Sequence, residues 1–147
     1  MKLNNSERMQ ANETYHVYNK TVGDELMFKS PDDYSYFLKK VQQYLLPVCD
    51  IFAYCLLPNH FHFLLRIKNE QYLIHSFKED PEVAVSKAFN KFFVSYAKSF
   101  NYAHRRMGRL FLQSFKRIYV NHPNYFMTLV IYIHRNPIHH ELVSSYE

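Results

Sequence analysis

Read for the spacing of its apolar and polar positions, the chain divides into alternating strand-like and helix-like segments. The stretch "TYHVYNKTV", residues 14–22, has the composition of a strand, and "GDELMF" turns the chain back. In "SPDDYSYFLKKVQQYLLP", Ser30 stands as an N-cap before Pro31 at the first helical position, acids fill the first turn, and Pro47 lies beyond the end. Tyr34, Phe37, Leu38, Val41, Tyr44 and Leu45 recur at helical spacing, which predicts a helix laid over a sheet. "CDIFAYCLL" and "FHFLLRI" read as two strands of a hairpin around the short turn "PNH".

A second helix is predicted over about 82–102, where Val85, Phe89, Phe92, Tyr96 and Phe100 form one stripe and Lys87, Lys91 and Lys98 another. "FKRIYV" has strand character, and "HPNYFMTLVIYIHRNP" reads as a helix entered at Pro123 and ended by Asn136-Pro137. The order β, α, ββ, α, β, α implies an α+β sandwich of helices on an antiparallel sheet. At 147 residues the chain reads as a single domain, 1–147, large enough to bury a core without disulfides or a structural metal.

Composition narrows the function classes. With two glycines and neither a P-loop nor a dinucleotide fingerprint, nucleotide-binding folds of those types are excluded. Cys49 and Cys55 show no CxxC spacing, and no apolar run approaches the roughly 18 residues of a membrane span. These features give the expectation of a soluble, cytoplasmic protein with no membrane partner.

Charge is uneven along the chain. Residues 1–82 carry nine Lys/Arg against eleven Asp/Glu, net −2, and residues 83–147 carry nine against two, net +7. Between Glu82 and Glu141 no carboxylate opposes the cations, a pattern that attracts a polyanion. Lys87, Lys91, Arg105, Arg106, Arg109, Lys116 and Arg117 are the candidate nucleic-acid contacts. A solvated basic face would have the same composition.

The segment "LLPNHFHFLLRI" carries the candidate chemistry. In a strand, Phe61, Phe63, Leu65 and Ile67 share one face, the core face, and His60, His62, Leu64 and Arg66 share the other. Two imidazoles on one face can reach one metal ion, although surface histidines would show the same spacing. Tyr132 and Asn136, four apart, lie on one face of the last helix. A carboxamide oxygen with two imidazoles makes a mixed site suited to Mg²⁺ or Mn²⁺, and a tyrosine beside it is a candidate nucleophile.

The blocks "YCLLPNHFHFLLRI", "FNKFFVSYAKSFN", "GRLFLQSFKRIYV" and "YFMTLVIYIHRNPIHHELV" together resemble the single-tyrosine transposases of the HUH superfamily, especially the REP-associated tyrosine transposases. The resemblance runs from about Tyr15 to Val143 with the blocks in the family's order. It implies a ferredoxin-like, RRM-like sandwich with helices on one face and the catalytic tyrosine on the C-terminal helix. It further implies metal-dependent cleavage and joining of single-stranded or hairpin DNA through a covalent 5′-phosphotyrosine. On this resemblance His60-Phe61-His62 is the His-hydrophobic-His motif, Tyr132 the nucleophile, and Asn136 the third ligand to Mg²⁺ or Mn²⁺. Ser114 stands where relatives commonly carry arginine or proline. Relatives include monomers and dimers that exchange active-site helices, so a homodimer is an open expectation. Two alternatives stand beside this reading: a derivative that binds DNA or RNA without cutting, and a metal-dependent phosphodiesterase that uses water.

Overall fold

The structure is a computed structural model, and it describes residues 8–112 and 114–139, with only the backbone described for 136–139. Four strands and four main helices follow one another as β1 (Thr14–Lys20), α1 (Pro31–Lys40), β2 (Cys49–Leu57), β3 (His60–Ile67), α2 (Glu70–Phe77), α3 (Pro81–Ala103), β4 (Lys116–Val120) and α4 (Pro123–His139). The strands form one antiparallel sheet in the order β2-β3-β1-β4. With the helices between them this is the α+β sandwich expected from the element order, in the ferredoxin-like arrangement that the family resemblance implies.

α1 starts as its sequence predicts. Ser30 and Asp33 form a reciprocal capping box, Pro31 occupies the first turn, and Lys39 and Lys40 face the negative end of the helix dipole. The helix then loosens into a π-helical turn over Val41–Leu45 before the chain enters β2. α2 is an element the hydrophobic pattern does not announce. It is eight residues long, buries only Leu73, starts from an Asn69 side-chain cap, and stops at Lys78, whose φ of 58° is left-handed.

One face of the sheet carries the main core. Tyr15, Val17, Phe61, Phe63, Leu65 and Ile67 meet Phe37, Val41 and Leu45 from the α1 segment and Val85, Phe89, Phe92, Tyr96 and Phe100 from α3. Phe37 sits at the centre, ring-to-ring with Phe61, Phe92 and Tyr96 at 5.0–5.5 Å. These contacts put the predicted apolar stripe of α3 onto the predicted apolar face of β3.

The C-terminal helix departs from the one-sided packing expected. α4 crosses to the opposite face, where Leu129 and Ile133 pack on Ala53, Cys55, Leu57, Leu64 and Val120 in a second apolar cluster. A bulge between Ile51 and Ala53 adds one residue to the strand, so Cys49 faces the main core while Ala53, Cys55 and Leu57 face the other way. Together with Leu64 they make the apolar strip that α4 covers. α4 also runs on through Pro137 to His139 instead of ending at Asn136-Pro137.

Candidate active site

The face under α4 holds the histidines. Strand register sets their neighbours in rows: Leu57, His60 and Lys20 in one, Cys55, His62, Tyr18 and Lys116 in the next, and Ala53, Leu64, His16 and Ile118 in the third. α4 lies mainly over β2 and β3. Tyr18, Lys116 and Ile118 on β1 and β4 stay partly exposed, and Lys20 is exposed. The histidines therefore stand at the boundary between a covered half and an open half of the same face.

His62 is the more enclosed of the pair, 7% exposed, and His60 is partly exposed. Their rings are nearly perpendicular with centroids 5.2 Å apart. His62 stacks on Tyr18 at 5.5 Å and on His16 at 5.2 Å. Its Nδ1 lies 3.0 Å from Nε2 of His16, a hydrogen bond between two buried imidazoles. Nδ1 of His60 lies 2.7 Å from Oδ1 of Asn59. Burial lowers the pKa of His16 to about 4, so that ring is neutral at pH 7.

Tyr132 reaches this group from α4. Leu129 and Ile133, four apart, anchor the buried side of the helix. Tyr132, on its flank, presents its ring edge-on to His62 with centroids 5.8 Å apart, and it keeps 49% of its surface exposed. The contact joins the two motifs that the sequence places some 70 residues apart. Asn136 lies one turn further along α4, and its side chain falls outside the described residues. Tyr125, a full two turns earlier, packs on the apolar cluster, and burial raises its pKa.

As a cation site the donor set is two imidazoles held on one rigid strand. Among the described residues no group of three or more His, Cys, Asp or Glu side chains is placed to hold a metal ion. A divalent cation here would need its further ligands from a carboxamide such as that of Asn136, from water and from phosphate, a set that suits Mg²⁺ or Mn²⁺.

The candidate nucleic-acid contacts do not form one patch. Lys116 lies on the histidine face beside Tyr18. Arg109 and Arg117 are on the other side of the sheet, in the wall of an open cavity of about 510 Å³ shared with Asn19, Asn90, Phe93 and Phe115. The Arg117 guanidinium lies 4.4 Å from the Phe115 ring centroid, and desolvation lowers its pKa. Lys87 and Lys91 are exposed on α3, with Lys87 paired to Glu79 at 2.7 Å. Arg105 is exposed. Arg106 is turned inward: it donates to Glu25 at 2.7 Å, to Asn101 and the Gly108 carbonyl at 3.0 Å, and to the Arg109 carbonyl at 2.7 Å. It braces the loop after α3.

Two neighbours of the histidines are missing from the sequence-based set, His16 and Lys20. Both follow from the strand "YHVYNK" once its register against "HFHFLLR" is known, because even-numbered positions of β1 then share the face of His60 and His62. His104 is partly buried against Asp33 at 2.8 Å and the Phe100 ring. His122 is exposed and accepts the Asn124 N–H at the start of α4. The side chains of His139 and His140 lie outside the described residues.

No family model matches this sequence, and no curated protein matches it. Among solved structures the chain is similar to a REP-associated tyrosine transposase bound to a REP hairpin, with a TM-score of 0.65 and 15% identity over 99% of this chain and 78% of that one. The fold is therefore that of a REP-associated tyrosine transposase. Among the described residues no helix is long and apolar enough to cross a membrane.

Proposed function

We propose that this protein is a metal-dependent endonuclease and strand transferase for single-stranded or hairpin DNA, acting through a covalent bond between Tyr132 and a DNA 5′ phosphate. The observation that carries the reading is the edge-on contact of Tyr132 with His62, which sets a phenol beside a pair of strand-held imidazoles. The likeness in fold to a transposase bound to a hairpin supports the same class of substrate.

His60 and His62, with Asn136, would hold Mg²⁺ or Mn²⁺; when bound, the ion would offset charge on the non-bridging oxygens of the scissile phosphate. The chain's own part is positioning. α4 holds the Tyr132 ring against His62 while leaving that side chain half exposed, and the phenol would be presented to a strand bound there. The phenol gives up its proton to water as its oxygen attacks phosphorus, the bond from phosphorus to the 3′ oxygen breaks, and that oxygen leaves and takes up a proton from water, so no net proton is consumed. The new phosphotyrosine retains the bond energy, so a second 3′-OH can reverse the step on another strand without ATP.

Binding would use the open half of the histidine face. Lys20 and Lys116 flank the histidines there, and neither ammonium is ion-paired with a described residue. They are placed to take phosphates on either side of the reacting one. Incubating the protein with end-labelled hairpin DNA and Mn²⁺, then separating on denaturing gels, tests the reading. Transfer of label to protein supports it, and cleavage without transfer points to water as the nucleophile.

A further inference from the structure

We propose that His16 is a positioning residue that fixes the tautomer of His62, keeping the Nε2 lone pair of His62 directed to a divalent cation. The inference rests on the metal reading above. It starts from a contact that β1 and β3 create between residues 46 positions apart: Nε2 of His16 and Nδ1 of His62, 3.0 Å apart, in rings stacked at 5.2 Å and 22°. Both side chains are buried, at 6% and 7% exposure, and Tyr18 closes over both rings. The geometry leaves the pair little freedom to rotate.

A neutral imidazole has one N–H and one lone pair, so a hydrogen bond between two of them places a single proton on the shared axis. If His16 carries it, the His62 proton is on Nε2, which closes that nitrogen to a cation. If His62 carries it on Nδ1, Nε2 keeps its lone pair. The neighbouring histidine supports the second arrangement. Nδ1 of His60 faces Oδ1 of Asn59 at 2.7 Å, and a carboxamide oxygen can only accept, so His60 carries its proton on Nδ1. His16 does for His62 what Asn59 does for His60. Both imidazoles are then held through Nδ1 in one tautomer, the arrangement in which outer partners orient metal-binding histidines.

The plain alternative is that His16 fills space. Two variants separate the readings: His16→Phe keeps an aromatic ring but removes the acceptor, and His16→Gln restores an acceptor oxygen near the position of Nε2. Long-range ¹H–¹⁵N spectra of the metal-free protein, with His62 assigned by its loss in His62→Gln, should show the Nδ1–H tautomer in wild type and in His16→Gln, and a shift toward Nε2–H in His16→Phe. Titration with Mn²⁺ alone, followed by electron paramagnetic resonance, should show affinity about 10–100-fold weaker in His16→Phe and largely restored in His16→Gln. An Nε2–H tautomer in wild type overturns the proposal, as does equal Mn²⁺ affinity in wild type and His16→Phe. Absence of Mn²⁺ binding by wild type overturns the metal reading itself, and with it the role given to His16, whatever the tautomer.

Discussion

Lys20 stands directly across from His60 in the register of β1 and β3, on the same face of the sheet. One row further, Lys116 stands two strands from His62 with Tyr18 between them. These cations border the histidines from the side that α4 leaves open. Lys20→Gln and Lys116→Gln should each weaken binding to single-stranded DNA and reduce the slope of log K against log salt by about one. Both are on or near the surface, so melting temperature should hold. An unchanged slope in both variants, measured by fluorescence anisotropy across a salt series, would place the strand elsewhere.

Arg106 gives the opposite expectation. Its guanidinium joins Glu25, Asn101 and two carbonyls of the loop after α3, so Arg106→Ala should destabilise the fold by about 1–3 kcal/mol. DNA affinity of the folded fraction should change little. Thermal unfolding with a binding isotherm at low temperature checks both parts, and a wild-type melting temperature with a lost salt slope would return Arg106 to the DNA path.

The partner Glu25 makes the same bracket sensitive to acid. Hydrogen bonds from Lys29 and Arg106 lower its pKa to about 2. A carboxylate depressed in the folded state adds stability that is full above its unfolded value, near 4.5, and is lost as pH falls toward about 2. Glu25→Gln should therefore melt below wild type at pH 7, with the gap closing between about pH 4.5 and pH 2. Melting curves across that range check the sign; a gap that widens on acidification contradicts it.

The two histidines should differ in their structural cost. His60 is partly exposed, and His60→Ala should leave stability near wild type. His62 is buried between Tyr18 and His16, so His62→Ala leaves a gap and an unsatisfied ring nitrogen on His16, a loss of about 1–3 kcal/mol. Both should abolish Mn²⁺-dependent nicking. Nicking at the wild-type rate by His60→Ala, which needs no correction for stability, would remove the histidine pair from the reaction.

How much of this was legible beforehand depended on which interaction set each feature. Alternation in "HFHFLLRI" separates Phe61 and Phe63 from His60 and His62 because side chains in a strand must alternate, and the structure keeps that division. The stripe of α3 is equally plain, since five large apolar residues at helical spacing have one place to go. Nothing local reveals that β2 bulges at Ile51/Ala53, and that bulge decides which β2 residues lie under α4. Nor does charge tell Arg106, which braces a loop, from exposed Arg105 beside it: partner choice is a tertiary fact. His16 looks like one more strand residue until register sets it against His62.

The central claim is that the Tyr132 oxygen becomes bonded to DNA. Tyr132→Phe keeps the ring against His62 and removes only the hydroxyl of a half-exposed residue, so stability should change by about 1 kcal/mol or less. Binding of DNA and of Mn²⁺ should survive. Wild type and Tyr132→Phe are incubated with Mn²⁺ and hairpin DNA labelled at either the 5′ or the 3′ end, then run on denaturing protein gels. The account predicts label retained on wild-type protein only from the fragment that lies 3′ of the cut, and no labelled protein from Tyr132→Phe. Labelled protein that persists in Tyr132→Phe, with Tyr125 the first residue to examine, would contradict it.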